Sequence, residues 1–286
     1  MTDENVSRFA SDDEIAWCPG CGNFKILSTL KEAMAELGIE PHNLMMVSGI
    51  GQAAKLPHYI RANVFNGLHG RAVPPATGLA MANRNLKVVI ASGDGDTYGE
   101  GGNHLIHGIR RNIDVTHFVH DNQIYGLTKG QGSPTTSEGQ KASIQVDGVM
   151  VEMLRPLALA ISLDCSFVAR SFSGDPDHLK AVMKEAVSHR GYALVDILQP
   201  CVSFNKVNTN KWYKDHVYYL EEEYDPTDRM AAFAKSLEWE EGIPLGVLYR
   251  RDKPTYMDKR EDLEGVNLVE RQWTPQDASR FLDDFR

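Results

Sequence analysis

KVVIASGDGD (87–96) decides the fold, because it joins a fully apolar run to a glycine-rich acidic turn. Val88, Val89, Ile90 and Ala91 form a β-branched stretch that stops at Gly93, and such a stretch reads as a strand. It shows no polar alternation, so both faces of the strand are expected to be buried, as in a parallel sheet covered on both sides. Comparable runs recur at LMMVS (44–48), VTHFVH (115–120), SFVAR (166–170) and ALVDIL (193–198). Helical patterns separate them. Leu27, Leu30, Met34 and Leu37 recur three or four apart over 23–37, with Gly38 placed to cap the end. Pro74 and Pro75 open a helix to about Asn83, and 99–111 and 149–163 carry further helical patterns. Asp175 and Pro176 form an N-cap and first-turn pair for a helix to about His189. Residues 123–148, rich in glycine and hydroxyl side chains, predict a long loop. Strands alternating with helices imply right-handed βαβ crossovers. The expected fold class is α/β, a mostly parallel sheet with helices on both faces.

Composition bounds the rest. The 286 residues carry 30 Lys+Arg against 39 Asp+Glu, a formal charge of −9, which argues against a nucleic-acid backbone or an anionic membrane as the main partner. Apolar runs fall far short of the ~20 residues that span a bilayer, and the polar, acidic start MTDENVSRFASDDEIAW (1–17) has no signal-like core. A cytoplasmic protein is the expectation. Four cysteines are too few for a disulfide framework. From 201 the texture turns polar, aromatic and acidic, with one helix opening at Asp225-Pro226 and running to about Leu237. Two parts are expected: an α/β domain over 1–200, with the CxxC segment at its start, and a C-terminal extension over 201–286 that wraps the domain or a partner chain.

Ligands of open parallel sheets bind beyond the carboxyl ends of the strands, and the unusual residues fall there. SGIGQ (48–52), GDGD (93–96), DNQIYG (121–126) and Pro200-Cys201 each follow a predicted strand. In GDGD, glycines let the backbone approach a phosphate while Asp94 can hold a hard cation. Magnesium takes few protein ligands, and Asn122, 28 positions on and after the next strand, is placed to be the second. Taken alone, GDG is often only a tight turn.

GDG followed after a helix and a strand by Asn resembles the thiamine diphosphate signature. WCPGCGN (17–23), SGIGQ (48–52), NGLHGRAVPPATGLAMAN (66–83), GDGDTYGEGGNHLIHGIRRNIDV (93–115) and DNQIYGLTKGQGSPTT (121–136) together resemble the β subunit of 2-oxoacid:ferredoxin oxidoreductases, most closely the 2-oxoglutarate type. DPTDRMAAFAKSLEWEEGIPLGVLY (225–249) is similar to that subgroup too, so the likeness covers nearly the whole chain.

The resemblance implies a thiamine diphosphate-binding fold, with Asp94, Asn122 and the carbonyl of Ile124 as magnesium ligands. Ile50, Gly51, Gln52 and Ala53 match the first cofactor loop, His69 faces the diphosphate end with a catalytic role, and Gly95, Asp96, Gly126 and Leu127 line the same pocket. Lys129 lies in the loop that meets the distal carboxylate of the substrate, where a cation suits a dicarboxylic 2-oxoacid; a solvated loop lysine is the plainer alternative. Cys18, Cys21 and Cys201 match three ligands of a [4Fe-4S] cluster, while the fourth position holds Gln52, a poor iron ligand. A cluster with one non-cysteine ligand, a labile cluster and none at all stay open. Cys165 matches no ligand position and reads as a small core residue. The implied reaction is oxidative decarboxylation of a 2-oxoacid to an acyl-CoA and carbon dioxide, or its reverse, with electrons passed to ferredoxin and coenzyme A as acyl acceptor. The family's α subunit supplies the glutamate that activates the cofactor, so an αβ assembly, paired into a higher hetero-oligomer, is implied. Two rivals share parts of the pattern. A non-oxidative thiamine diphosphate decarboxylase or carboligase has no use for the three cysteines, and a non-catalytic CxxC metal-binding module has none for Asp94 and Asn122.

Overall fold

A computed structural model describes residues 3–272, 279 and 281–285. In chain order the elements are α1 (Asp3–Ser7), α2 (Asn23–Glu36), β1 (Leu44–Ser48), β2 (Asn63–Asn66), α3 (Val73–Ala82), β3 (Lys87–Gly93), α4 (Gly102–Arg111) and β4 (Val115–Asp121). They continue with β5 (Ile124–Tyr125), β6 (Gln131–Gly132), α5 (Pro156–Ser162), β7 (Phe167–Phe172), α6 (Pro176–Ser188), β8 (Tyr192–Leu198), α7 (Asn210–His216), β9 (Val217–Tyr219), α8 (Arg229–Leu237) and β10 (Ile243–Arg250). Eight strands form one sheet in the order β2-β1-β3-β4-β8-β7-β10-β9. From β2 to β7 every neighbouring pair is parallel, and β10 runs antiparallel to β7.

The apolar strands divide their side chains between two cores, as the lack of alternation requires. In β3, Val89 and Ala91 join Ile26, Leu30 and Met34 of α2 and Leu179 and Met183 of α6 on one face. Val88 and Ile90 join Leu105 and Ile109 of α4 and Leu157 and Ile161 of α5 on the other. Each buried Val, Leu, Ile or Met among these contributes roughly 1.5–3 kcal/mol, so a shift of register by one residue is costly. Cys165 is fully buried on the second face, and burial pushes its thiol up to about 12. It is a core residue.

Several boundaries depart from the sequence expectation. The helix expected over 149–163 is only Pro156–Ser162, because Pro156 has no N–H to donate and suits only a first turn. Upstream, Leu154 N instead donates to Pro134 O at 2.9 Å. The helix expected from Asp225-Pro226 starts at Arg229: Asp228 caps Met230 N and Ala231 N, while the Asp225 carboxylate accepts from Thr227 in a local turn. The long loop contains the β5–β6 hairpin. The tail also contributes two strands, β9 and β10, to the sheet, and α8 packs against the second core through the fully buried Ala232.

Strand order places β1, β3, β4 and β8 side by side. Their carboxyl ends open at residues 49, 94, 122 and 199 along one edge. That edge carries the site.

Candidate functional site

β3 ends at Gly93, and the chain turns at Asp94 into a π-helical segment, Gly95–Glu100, that leads into α4. The expected helix over 99–111 thus begins in wider winding, a form found often at functional sites. Gly95 must lack a side chain here, since a Cβ would lie 2.2 Å from the Tyr125 ring. Around this turn a cleft is lined by Ile50, Gly51, Gln52 and Ala53 after β1, by His69, by Asp94, Gly95 and Asp96, and by Asn122, Ile124, Gly126 and Leu127 after β4. Every residue expected at the magnesium and thiamine diphosphate positions therefore borders one cleft.

Asp94 is 2% exposed, and burial pushes its carboxyl up to about 6. Thr135 Oγ1 donates to its Oδ2 at 2.8 Å. Asn122 sits in a turn in which its side-chain Oδ1 accepts from Ile124 N at 3.0 Å. Asp96 is the organiser of the other two loops. Its Oδ1 accepts from Ile50 N at 3.0 Å and Gly70 N at 2.7 Å, and it lies 2.8 Å from His69 Nδ1. Gly49 permits that approach, because a Cβ there would fall 2.0 Å from the Asp96 carboxylate. Asp96 Oδ2 is buried without a partner among the described residues, and burial raises this carboxyl above its ordinary value. Beneath Asp94 lie Asp121 and Asp196, both with raised pKa values through burial, and Arg170 Nε is 3.8 Å from Asp196. The site is acidic and poorly compensated, which favours a cation near Asp94.

Among the described residues, no three His, Cys, Asp or Glu side chains gather tightly enough to chelate a single metal ion. Magnesium does not need such a set: one carboxylate, one amide oxygen and a carbonyl suffice when phosphate and water complete the octahedron. Asp94, Asn122 and Ile124 on one cleft fit that donor chemistry.

A neighbouring pocket is lined by Cys18, Cys21 and Cys201 with Trp17, Gln52, Gln199 and Phe204. The CxxC before α2 and the residue after β8 thus meet across the sheet edge. Gln199 Nε2 donates to Cys21 Sγ at 3.3 Å, and Phe204 N to Cys201 Sγ at 3.5 Å. Burial raises the Cys21 thiol, with Cys201 and Cys18 adding to the rise. Gln52 Oε1 and Gln199 Oε1 are buried acceptors without partners among the described residues. An iron–sulfur cluster holds its thiolates farther apart than a single ion does, so three thiols around one pocket fit that group. Gln52 borders both this pocket and the cleft.

Lys129 does not line the cleft. It is exposed, one residue beyond Thr128, which does line it, and its backbone is left-handed at φ 81°. Sequence reading missed Tyr125 and Thr128 on the cleft, and Trp17 and Gln199 at the thiols. Tyr125 lies within the quoted DNQIYG, and Gln199 directly precedes Pro200-Cys201, so adjacency to a motif was their signal. His117 and His120 are fully buried, and burial pulls both down to about 3, so they stay neutral.

Comparison with known proteins gives two family matches. One is the thiamine pyrophosphate enzyme, C-terminal TPP binding domain, over residues 43–197. The other is the C-terminal part of the pyruvate ferredoxin oxidoreductase beta subunit, over 201–265. The chain is 42% identical to 2-oxoacid:ferredoxin oxidoreductase 1, subunit beta, of Aeropyrum pernix, across 91% of this chain and 85% of that one. It is 45% identical to the 2-oxoglutarate oxidoreductase subunit KorB of Mycobacterium tuberculosis, across 69% of this chain and 53% of that one. Among solved structures, 2-oxoglutarate:ferredoxin oxidoreductase from Magnetococcus marinus, with 2-oxoglutarate, coenzyme A and succinyl-CoA bound, superposes with a TM-score of 0.91 at 34% identity. That match covers 99% of this chain and 97% of the other.

Proposed function

The chain belongs to the β subunits of the 2-oxoacid:ferredoxin oxidoreductases, and from that premise we propose that it acts on 2-oxoglutarate, with coenzyme A as acyl acceptor and ferredoxin as electron acceptor. The observation that carries this reading is the single cleft that unites Asp94, Asn122 and Ile124 with the loops at 50–53, 69 and 126–127. Asp94, Asn122 and the Ile124 carbonyl hold magnesium, and the magnesium holds the diphosphate of thiamine diphosphate. When bound, thiamine diphosphate supplies the electron sink that lets carbon dioxide leave a 2-oxoacid.

The chain's own residues prepare that chemistry. Asp96 fixes the backbone of the first cofactor loop through Ile50 N and the His69 turn through Gly70 N. With Nδ1 against the Asp96 carboxylate, His69 borders the cleft and leaves its other ring nitrogen for a ligand at the diphosphate end. Lys129 supplies the cation that pairs with the distal carboxylate of 2-oxoglutarate. Cys18, Cys21 and Cys201 hold a [4Fe-4S] cluster beside the cleft, where Gln52 stands between cluster and cofactor. No glutamate among the described residues lines the cleft, so an α subunit that brings the activating carboxylate is part of this reading, in a hetero-oligomer larger than one αβ pair. Within the described residues, the part over 1–200 carries the cofactor site, and the part from 201 on adds β9 and β10 to the same sheet. No helix among the described residues is long and apolar enough to cross a membrane, which supports a cytoplasmic enzyme.

The test is the αβ complex of wild type and of Asp94→Ala, assayed for bound thiamine diphosphate and for 2-oxoglutarate-dependent, coenzyme A-dependent ferredoxin reduction. Asp94→Ala loses cofactor and activity together while keeping the fold. Full cofactor content in that variant overturns the magnesium assignment, and wild-type activity on pyruvate alone overturns the substrate.

A further inference from the structure

Thr135 is 1% exposed and lies inside the wall of the cleft rather than on its lining. Its Oγ1 stands between two buried carboxylates, 2.8 Å from Asp94 Oδ2 and 2.7 Å from Asp121 Oδ1. The chain delivers it there by a pinned loop. Thr136 Oγ1 donates to Gln123 O at 2.6 Å and accepts from Ser133 N at 2.7 Å, which ties residues 133–136 to the turn that follows β4. Leu154 N closes the other side on Pro134 O. These bonds tie residues 133–136 to the turn after β4, and Thr135 joins that turn to Asp94 at the end of β3.

We propose that Thr135 is a positioning residue for the cation site: its hydroxyl holds the Asp94 carboxylate in one rotation and keeps it from facing Asp121 directly. The inference rests on the reading of Asp94 as a magnesium ligand. The terminal torsion of an aspartate is broad and soft, so the carboxylate needs an outside bond to aim it. An octahedral ion at short range tolerates little misaiming. Without the hydroxyl, the two buried carboxyls lose a group that bridges them, and the Asp94 carboxylate loses a donor. Ser133 Oγ lies 3.2 Å from Thr135 Oγ1, and the Ser133 side chain is a second hydrogen-bonding neighbour of Asp94. Supporting partners of this kind change metal affinity by about 10–100-fold when removed.

The experiment uses the full chain in excess thiamine diphosphate and titrates Mg²⁺ calorimetrically, with a protein-free titration of the same thiamine diphosphate solution subtracted. Wild type, Thr135→Val, Thr135→Ala, Thr135→Ser and Asp94→Ala are compared, with the melting temperature of each recorded without Mg²⁺. Loss of the hydroxyl weakens Mg²⁺ about 10–100-fold in both the Val and Ala variants, while Thr135→Ser, which restores the hydroxyl and lacks only the methyl, stays near wild type. Thr135→Ala carries the test where the valine does not fold, because it puts no methyl against the carboxylates. Unchanged Mg²⁺ affinity in Val and Ala variants, with Asp94→Ala defective, overturns the role of Thr135 alone. A serine variant as weak as the valine overturns it too, since the methyl rather than the hydroxyl is then what matters. Wild-type affinity in Asp94→Ala removes the magnesium reading, and the inference falls with it on separate grounds.

Discussion

His69 Nδ1 lies 2.8 Å from Asp96 Oδ1, and the same oxygen takes the backbone N–H of Ile50 and of Gly70. One carboxylate, placed by the π-helical turn after β3, therefore fixes a loop after β1 and a turn after β2. The aspartate must be on that turn and the donors on two separate loops, so the three strand ends are built as a unit.

Asp96→Ala leaves the buried Gly70 N–H and the half-buried Ile50 N–H without an acceptor, at about 1–3 kcal/mol for each that water does not reach. The expected outcome is a fall in unfolding free energy of about 2 kcal/mol and weaker thiamine diphosphate binding. Asp96→Asn keeps one acceptor oxygen and falls between. Urea unfolding and cofactor titration read both; an alanine variant as stable as wild type shows that the loops hold themselves.

Lys129 sits at φ 81° beside the cleft wall, a conformation that costs a non-glycine residue energy whichever side chain it carries. Lys129→Ala keeps that backbone cost and removes the ammonium with its alkyl stem. The expected loss is about 1.5–3 kcal/mol in kcat/KM for 2-oxoglutarate and little for pyruvate, which lacks the distal carboxylate. Equal losses on both substrates make the lysine structural.

The buried His117 bonds Ser92 Oγ at 2.7 Å and Tyr192 OH at 2.8 Å, and burial holds it down to about 3 against an ordinary 6.5. Between those values the unfolded chain binds the proton and the folded one does not. Its contribution to stability is therefore full above about 6.5 and lost as pH falls toward 3. The aspartates with raised pKa values push the other way, so the measurement is differential. The penalty of His117→Gln in urea unfolding shrinks on acidification, by at most about 1.4 kcal/mol per pH unit. A penalty independent of pH between 7 and 4 sinks the reading that this ring is neutral when folded.

The parallel sheet and the cleft were legible because each rests on local chemistry. Val88 to Ala91 have no polar alternation, and the loops at 49–53, 94–96 and 122–127 each begin where such a run stops. β10 was hidden by Pro244 and Gly246, which ordinarily argue against a strand. It tolerates them because it is antiparallel to β7, bulged between Val247 and Tyr249, and flanked on its other side only by the three-residue β9. The exposed β2 has no apolar run to announce it; Asn63 and Asn66 hold it by side-chain bonds to the backbone of 42–54. Thr135 and Asp94 are 41 positions apart, and their meeting depends on how a long loop folds back. No pattern within the loop encodes that.

The last prediction concerns the fourth corner of the thiol pocket. Cys18 and Cys21 come from the turn before α2, and Cys201 from beyond β8, yet all three border one space. Gln52 borders the same space, with its backbone carbonyl held by Trp17 Nε1 at 2.8 Å and its side-chain oxygen buried without a partner among the described residues. A neutral amide binds iron far less firmly than a thiolate, so an iron at that corner is the one most easily lost. The chain, purified without oxygen and reconstituted with iron and sulfide, is expected to bind a cluster that loses iron on brief exposure to air. Gln52→Cys presents a thiolate from the same anchored loop and is expected to retain its iron under the same exposure. Iron and sulfide analysis with electron paramagnetic resonance reads the difference. No iron or sulfide in either protein after reconstitution shows that the three cysteines serve another purpose, and equal retention in both shows that Gln52 does not face the cluster.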